Sequence, residues 1–263
     1  DFHGVVLIMF ADTPLVTAKT LAALAAAVRD GSDIAVLGFE AKDPAGYGRL
    51  VIGRDQFLKK IVEHGDANKT ERAITLVNGG VMAVRCPLVF DLLEEVKPDN
   101  TKEELYLTDI VEIANAKALA VTYHTTDERE IAGVNSRQDL AHIEAILQDR
   151  LRDSAMNQGV TMRAPETVFL SADISFGRDV IIEPHVVIGS GTLIGDGSII
   201  KSFSYVEGTV LGAHCIIGPY ARLRPGTNAD ERVKIGNFVE TKHATIGAGS
   251  KANHLTYIGD TTI

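Results

Sequence analysis

Residues 180–200 read Val180-Ile181-Ile182-Glu183-Pro184-His185-Val186-Val187-Ile188-Gly189-Ser190-Gly191-Thr192-Leu193-Ile194-Gly195-Asp196-Gly197-Ser198-Ile199-Ile200, and the spacing of their aliphatics decides the fold. Ile182, Ile188, Ile194, Ile200 and Val206 recur every six residues, and Gly189 and Gly195 directly follow two of them. A second register runs through Val168, Ile174, Val180 and Val186. After a one-residue slip the beat resumes at Leu211-Gly212, Ile217-Gly218, Ile235-Gly236, Ile246-Gly247 and Ile258-Gly259. This period fits neither a helical stripe nor strand alternation. It is the signature of a parallel β-helix, in which three hexads close a triangular coil of about eighteen residues and each coil stacks its aliphatics on the next. Residues 166–263 are therefore expected to form a parallel β-helix of hexapeptide repeats, left-handed in its coil.

The preceding 150 residues alternate between strand and helix signals. The apolar run Gly4-Val5-Val6-Leu7-Ile8-Met9-Phe10 reads as a strand buried on both faces of a parallel sheet, with Asp12 just past its end. Thr17 can cap a helix that runs through Val28 and stops at Gly31. A second strand is expected over residues 33–39, a Gly/Pro-rich loop over 43–49, and a strand over 74–84 interrupted at Asn78-Gly79-Gly80. Residues 88–96 and 107–118 read as helices and 119–124 as a strand. Ser136 with Asp139 resembles a capping box and opens a helix whose apolar face would be Leu140, Ile143, Leu147 and Leu151. The alternation implies a layered α/β domain, Rossmann-like, with ligands at the carboxyl ends of its strands. The expected division is a domain over 1–151, a linker over 152–165 and the β-helix over 166–263.

With 263 residues, the chain is long enough for two cores. A net charge of −9 argues against a general nucleic-acid binder, which needs a basic face. A few placed Arg and Lys residues can still hold phosphates. Cys86 and Cys215 lie far apart without metal-type spacing and read as reduced core residues of a cytoplasmic protein. No apolar run reaches membrane-spanning length and no signal segment opens the chain. The chain starts at Asp1 and stops at Ile263 inside a hexad, so both ends read as cut.

Several residues suit chemistry. A carboxylate at a strand end, such as Asp12, suits Mg²⁺, or simply supports the turn at Thr13-Pro14. Asn135 precedes a helix start, where an amide oxygen can bind a metal or cap a local turn. Gly46 and Gly48 allow close backbone approach to a ligand. Glu63 and His64 form a strand-end pair that, taken alone, reads as a solvated pair rather than a site. Asn78 is a polar break in an apolar strand. In the solenoid, Arg222-Leu223-Arg224-Pro225-Gly226 interrupts the hexads, and residues 227–232 are expected to loop out. Arg224 and Lys242 are one coil apart, and Asp260 lies one coil beyond Lys242. With His254 they suit a phosphosugar and a base; taken alone, His254 reads as a surface histidine.

The order of the pieces carries more. Phe10-Ala11-Asp12-Thr13-Pro14-Leu15, Asp43-Pro44-Ala45-Gly46-Tyr47-Gly48-Arg49, Ile61-Val62-Glu63-His64, Asn78-Gly79-Gly80, Tyr106-Leu107-Thr108-Asp109-Ile110 and Gly133-Val134-Asn135-Ser136-Arg137, followed by a hexapeptide solenoid, resemble the bacterial bifunctional N-acetylglucosamine-1-phosphate uridyltransferase/glucosamine-1-phosphate acetyltransferases. The solenoid stretches Arg222-Leu223-Arg224-Pro225-Gly226, Gly236-Asn237-Phe238-Val239-Glu240-Thr241-Lys242 and His254-Leu255-Thr256-Tyr257-Ile258-Gly259-Asp260 are similar to that family's acetyltransferase motifs. β-Helices of this type usually belong to acyltransferases.

The resemblance implies synthesis of UDP-N-acetylglucosamine for the cell envelope. Acetyl transfer from acetyl-CoA to glucosamine 1-phosphate would precede uridylyl transfer from UTP to N-acetylglucosamine 1-phosphate. Asp12 and Asn135 would hold Mg²⁺ and, through it, UTP; the Gly48 backbone, Glu63 and Asn78 would hold the N-acetylglucosamine moiety. Arg224 and Lys242 would bind the sugar phosphate, Tyr257 would position the sugar, and His254 would be the general base. A cytoplasmic homotrimer is expected. Two departures stand out: Ala11 replaces a glycine, and Asn78-Gly79-Gly80 replaces Asn-Thr-Gly. The family's glycine-rich triphosphate loop and its CoA-binding coils would lie outside this chain, so the polypeptide as it stands is expected to complete neither transfer.

Other readings make different demands. A zinc carbonic anhydrase on this solenoid needs three converging histidines, commonly with a close pair, which His185, His214, His243 and His254 lack. A monofunctional sugar-1-phosphate nucleotidyltransferase would use the β-helix for assembly only. A purely structural module would bind nothing at Asp12, Glu63 and Asn78.

Overall fold

A computed structural model describes residues 2–263. They form two compact units that divide between Ile143 and Glu144.

The first unit is a six-stranded sheet with helices. Its elements are β1 (Gly4–Ile8), α1 (Ala18–Arg29), β2 (Ile34–Glu40), β3 (Arg49–Ile52), β4 (Leu58–Val62), α2 (Lys69–Arg72), β5 (Leu76–Cys86), α3 (Leu88–Leu93), α4 (Ile110–Ala116) and β6 (Val121–Thr125). The order is β4-β3-β5-β2-β6, with β1 also on β5. The parallel sheet expected from the sequence is corrected here. Among the described strands of this sheet only β2 and β6 run parallel to each other. The physical reason lies in the connections: short links such as the one between β3 and β4 reverse the chain, whereas parallel neighbours need a long crossover. β1 is only half-buried, with Leu7 exposed and Met9 and Phe10 exposed just past its end, because it pairs with β5 alone among the described strands. β5 is not broken at Asn78-Gly79-Gly80. The glycines absorb a register shift against β2 between Val36 and Gly38, and Gly80 takes φ +72°.

Helix α1 starts where expected, with Thr17 Oγ1 accepting from Thr20 N–H. A buried carboxylate reinforces that end. Glu130 accepts from Thr17 N–H at 2.7 Å and from Thr126 Oγ1 at 2.6 Å. Burial opposes its ionisation, but hydrogen bonds from Thr126, Thr20 and Thr17 outweigh burial and hold the carboxyl below the usual glutamate value. A depressed folded value contributes stability above the unfolded pKa, and that contribution is lost as pH falls through the folded one. Wild-type protein is therefore expected to lose more stability between neutral pH and about pH 3 than Glu130→Gln, read from urea midpoints. Equal losses would exclude this carboxylate as an acid-sensitive element.

The last helix, α5 (Arg137–Asn157), opens with Ser136 Oγ accepting from Asp139 N–H at 3.1 Å. The Asp139 carboxylate accepts from Asn135 N–H rather than closing the full capping box on Ser136. Leu140, expected on the apolar face, is exposed, whereas Ile143 is buried. The expected linker over 152–165 is helix to Asn157 and strand at Thr161–Met162, because Arg152, Ala155 and Val160 are buried.

The second unit is a parallel β-helix. Two-residue strands such as Ile181–Ile182, Ile199–Ile200 and Ile216–Ile217 pair in parallel, coil on coil. Ile182, Ile200, Ile217 and Ile235 stack in one column and are fully buried. Each such side chain contributes about 1.5–3 kcal/mol of hydrophobic burial. Coils take 18 or 17 residues, as the pairings Ile181–Ile199 and Ile199–Ile216 demonstrate. The expected loop over 227–232 does not form: Thr227–Ala229 is a strand paired with Thr209–Leu211, and the buried Thr227 hydroxyl donates to Arg224 O at 2.8 Å.

The first coil is closed from the α5 side by side chains. Gln148 Nε2 donates to Leu170 O at 2.8 Å, and Gln148 Oε1 accepts from Leu170 N–H at 2.9 Å. Arg152 Nη1 donates to Val168 O at 3.0 Å. The carboxamide thus does for Leu170 what the next strand does on the other side. Gln148→Ala is expected to destabilise this unit by about 2 kcal/mol, since two buried backbone groups lose their partner. Guanidinium unfolding reads the difference; an unchanged midpoint would count against it.

One corner is a column of left-handed residues, His185, Phe203, Tyr220, Phe238 and Leu255. Their non-glycine conformations are unfavourable. Stacking offsets this: His185–Phe203, Phe203–Tyr220 and Tyr220–Phe238 have ring centroids 5.0, 4.9 and 5.2 Å apart.

Candidate functional site

Five residues singled out in the first half come together. Asp12, Gly48, Glu63, Asn78 and Asn135 all line one cleft of about 710 Å³. Each arrives by a different element. Asp12 lies in the turn after β1, and its carbonyl accepts from Val134 N–H at 2.8 Å, which ties it to the segment carrying Asn135. Asn135 N–H is in turn held by Asp139 at 3.1 Å. A hydrogen bond from Ser136 keeps Asp139 below the usual aspartate range, with one from the Asn135 N–H adding to it.

Glu63 follows β4, and Gly48 precedes β3, the strand beside it. A Cβ added at Gly48 would lie 3.1 Å from Ile61 Cγ2 and 3.3 Å from Glu63 Oε1. A side chain there would crowd the carboxylate. Gly48 O accepts from Asn78 N–H at 2.8 Å, and Asn78 Oδ1 accepts from Gly80 N–H at 3.1 Å. The cleft wall therefore runs Glu63, Gly48, Asn78 through contiguous contacts.

Among the lining residues, Thr108 had no role assigned from the sequence and Asp139 only a capping one. Thr108 is buried and its Oγ1 donates to Glu63 Oε1 at 3.0 Å. Its signal was the Tyr106-Leu107-Thr108-Asp109-Ile110 segment, one of the ordered motifs. Asp139 lines the cleft as well as capping α5. His64 does not line it. The surroundings are acidic: burial raises the Asp109 carboxyl, and Asp99, Glu112, Glu63 and Asp66 raise it further.

The solenoid candidates are less concentrated. Arg222–Leu223 pairs with Glu240–Thr241, and Arg224 N–H donates to Thr241 O at 2.9 Å, so Arg224 and Lys242 are neighbours on adjacent coils. Arg224 Nη1 also lies 3.1 Å from Glu240 Oε1. Tyr257 stands opposite Glu240 on the next coil. His254 is opposite Asn237 on the preceding face, across the corner at Leu255. Asp260 is not beside Lys242 as expected. Lys242 faces Gly259, because that coil holds 17 residues, and Asp260 instead lies 3.4 Å from His243 Nδ1.

Cys86 and Cys215 are free and buried. Among the described residues no cluster of three His, Cys, Asp or Glu could hold a metal, and no helix is long and apolar enough to cross a membrane.

The bacterial transferase hexapeptide (six repeats) family matches residues 173–208. The chain is 52% identical over 262 residues to the bifunctional protein GlmU of Roseobacter denitrificans, covering 100% of this chain and 58% of that relative. It is 51% identical over 255 residues to the bifunctional protein GlmU of Azorhizobium caulinodans, covering 97% of this chain and 57% of the relative. Among solved structures, the acetyltransferase domain of PglB from Neisseria gonorrhoeae FA1090 in complex with acetyl coenzyme A aligns with TM-score 0.35 and 19% identity, over 57% of this chain and 87% of that one. So distant a likeness bears on nothing in the cleft. The chain spans somewhat more than half the length of the curated relatives it matches, and the sequence match extends through both units. By that match the chain is, along its whole length, a relative of the proteins named GlmU.

Proposed function

We propose that this chain carries the sugar-binding part of a Rossmann-like uridylyltransferase site and part of a left-handed β-helical acetyltransferase site, which together serve UDP-N-acetylglucosamine synthesis. The observation that carries the reading is the cleft, because residues spread from position 12 to position 135 line it together. Similarity along the whole chain to relatives named as bifunctional supports it.

In uridylyl transfer, a phosphate oxygen of N-acetylglucosamine 1-phosphate attacks the α-phosphorus of UTP and pyrophosphate leaves. The attacking oxygen is already an anion, so positioning and charge compensation dominate. Glu63 and Asn78 would hold sugar hydroxyls, and the Gly48 backbone would approach the ring. Among the described residues the lining includes Asp12, Glu63 and Asp139 but no Lys, Arg or His. Such a lining repels phosphates until a cation enters. One carboxylate and one amide oxygen fit Mg²⁺, which keeps waters and takes the rest of its shell from phosphates. Asp12 and Asn135 would hold it, and when bound it would supply the charge that phosphate transfer requires.

In acetyl transfer, the 2-amino nitrogen of glucosamine 1-phosphate attacks the thioester carbonyl of acetyl-CoA, and CoA leaves as the thiol. Neutral His254 would take the amine proton, Arg224 and Lys242 would bind the phosphate, and Tyr257 would orient the sugar. Assembly as a homotrimer fits the exposed corner of Phe203, Tyr220 and Phe238, an apolar strip suited to side-by-side packing.

Calorimetric titration with N-acetylglucosamine 1-phosphate, with and without Mg²⁺, tests the first site. Binding that tightens with Mg²⁺ is expected. Absence of binding at millimolar ligand would reject the sugar-phosphate reading, and binding indifferent to Mg²⁺ would reject the cation's role.

A further inference from the structure

Arg49 is the largest fully buried side chain among the described residues, 1% exposed. An arginine keeps its charge at any accessible pH, and an unpaired cation is costly to bury. Yet among the described residues no carboxylate lies within ion-pair distance of it, and its Nε has no hydrogen-bond partner. Its one specific bond runs from Nη1 to the carbonyl of Tyr47. A costly group maintained for a single backbone contact calls for an explanation at that contact.

The Tyr47 carbonyl belongs to the same rigid peptide as the Gly48 N–H. That peptide is trans, since the cis bonds lie at Cys86-Pro87 and Gly218-Pro219. In a trans peptide the C=O and N–H point in opposite directions. Fixing the carbonyl on the buried guanidinium therefore fixes the N–H away from it. Gly48 lines the cleft, and its own carbonyl is tied to Asn78 N–H at 2.8 Å. Among the described residues no acceptor takes the Gly48 N–H. The Tyr47 side of the turn is braced by Tyr47 N–H to Pro44 O at 3.3 Å and by the Tyr47 ring edge on Phe39, centroids 5.2 Å apart.

We propose that Arg49 is a positioning residue: through the Tyr47 carbonyl it aims the Gly48 N–H into the cleft, toward an acceptor oxygen of the bound sugar. This rests on the reading of the cleft as a site for N-acetylglucosamine 1-phosphate. Arg49 touches no ligand in this scheme and acts only through the peptide plane. Lysine would restore a donor without the planar fork, and methionine would keep the bulk without any donor.

Solution NMR on the ¹⁵N-labelled chain separates the two claims. In the wild type the Arg49 Nη protons are expected as resolved, slowly exchanging signals; their absence would overturn the anchoring. In Arg49→Met the residual dipolar coupling of the Gly48 N–H is expected to change while those of β2 and β5 persist. Affinity for N-acetylglucosamine 1-phosphate is expected to fall about five- to tenfold, with Arg49→Lys intermediate in both. An unchanged Gly48 coupling in both folded variants would overturn the proposal, and so would a changed coupling with unchanged affinity. Should Arg49→Met not fold, Arg49→Lys and the wild-type guanidinium signals decide. If the wild type binds no sugar phosphate, the ligand reading fails, and the coupling still reports whether Arg49 orients the peptide.

Discussion

Gly236→Ala is expected to destabilise the β-helix by about 3 kcal/mol or more, at the upper end of what overpacking costs. Gly236 lies in the strand Lys234–Asn237, which pairs with Lys251–His254 on the next coil. A Cβ there would fall 1.8 Å from the Asn253 carbonyl oxygen and 2.7 Å from its carbon. Both obstacles are backbone, so no rotamer change relieves the clash. Two coils must separate, and the stack depends on their spacing. Gly65→Ala is the control, because nothing lies within 4 Å of an added Cβ; it is expected to stay within about 0.5 kcal/mol. Guanidinium unfolding monitored by circular dichroism compares the two. Similar midpoints would mean that the coil spacing tolerates a methyl group and that the stacking described here is wrong.

The second large effect is expected at Glu63. Under the proposed function, Glu63→Ala lowers affinity for N-acetylglucosamine 1-phosphate about 30- to 100-fold, the loss of a charge-assisted contact. Thr108→Val is expected to lower it about fivefold. Thr108 contributes through its 3.0 Å bond to Glu63 Oε1, which fixes the carboxylate's orientation. The double variant should lose no more than Glu63→Ala alone, because the threonine's effect passes through the glutamate. Calorimetric titration measures all three. Full affinity in Glu63→Ala would remove this residue from the site, and additive losses would show that Thr108 acts independently.

How much of this was legible beforehand depends on whether the signal is local. The six-residue beat is local, and nearly every aliphatic in it is buried. The coil length is less so. Whether a coil takes 17 or 18 residues depends on its corners, which is why Lys242 meets Gly259 and not Asp260. Likewise 227–232 has the composition of a loop yet fits the coil without excess residues. In the first unit most strands were readable, although β3 (Arg49–Ile52) was not; the strand directions were not readable either, since apolar content does not encode which neighbour a strand meets. The short β3–β4 connection was the available clue. For the cleft, Asp12, Gly48, Glu63, Asn78 and Asn135 were readable as ordered motifs, but their convergence required the fold. Thr108 and Arg49 were unreadable as functional residues, because each acts through one long-range or backbone contact. Gln148 reads as an ordinary surface residue of a helix and becomes informative only once Leu170 is found beside it.

The most direct test is diffraction from crystals grown with UDP-N-acetylglucosamine and Mg²⁺. The sugar is expected between Gly48, Glu63 and Asn78, with the metal on Asp12 and Asn135. A nucleotide sugar bound elsewhere, or a cleft that stays empty at saturating ligand, would contradict the account.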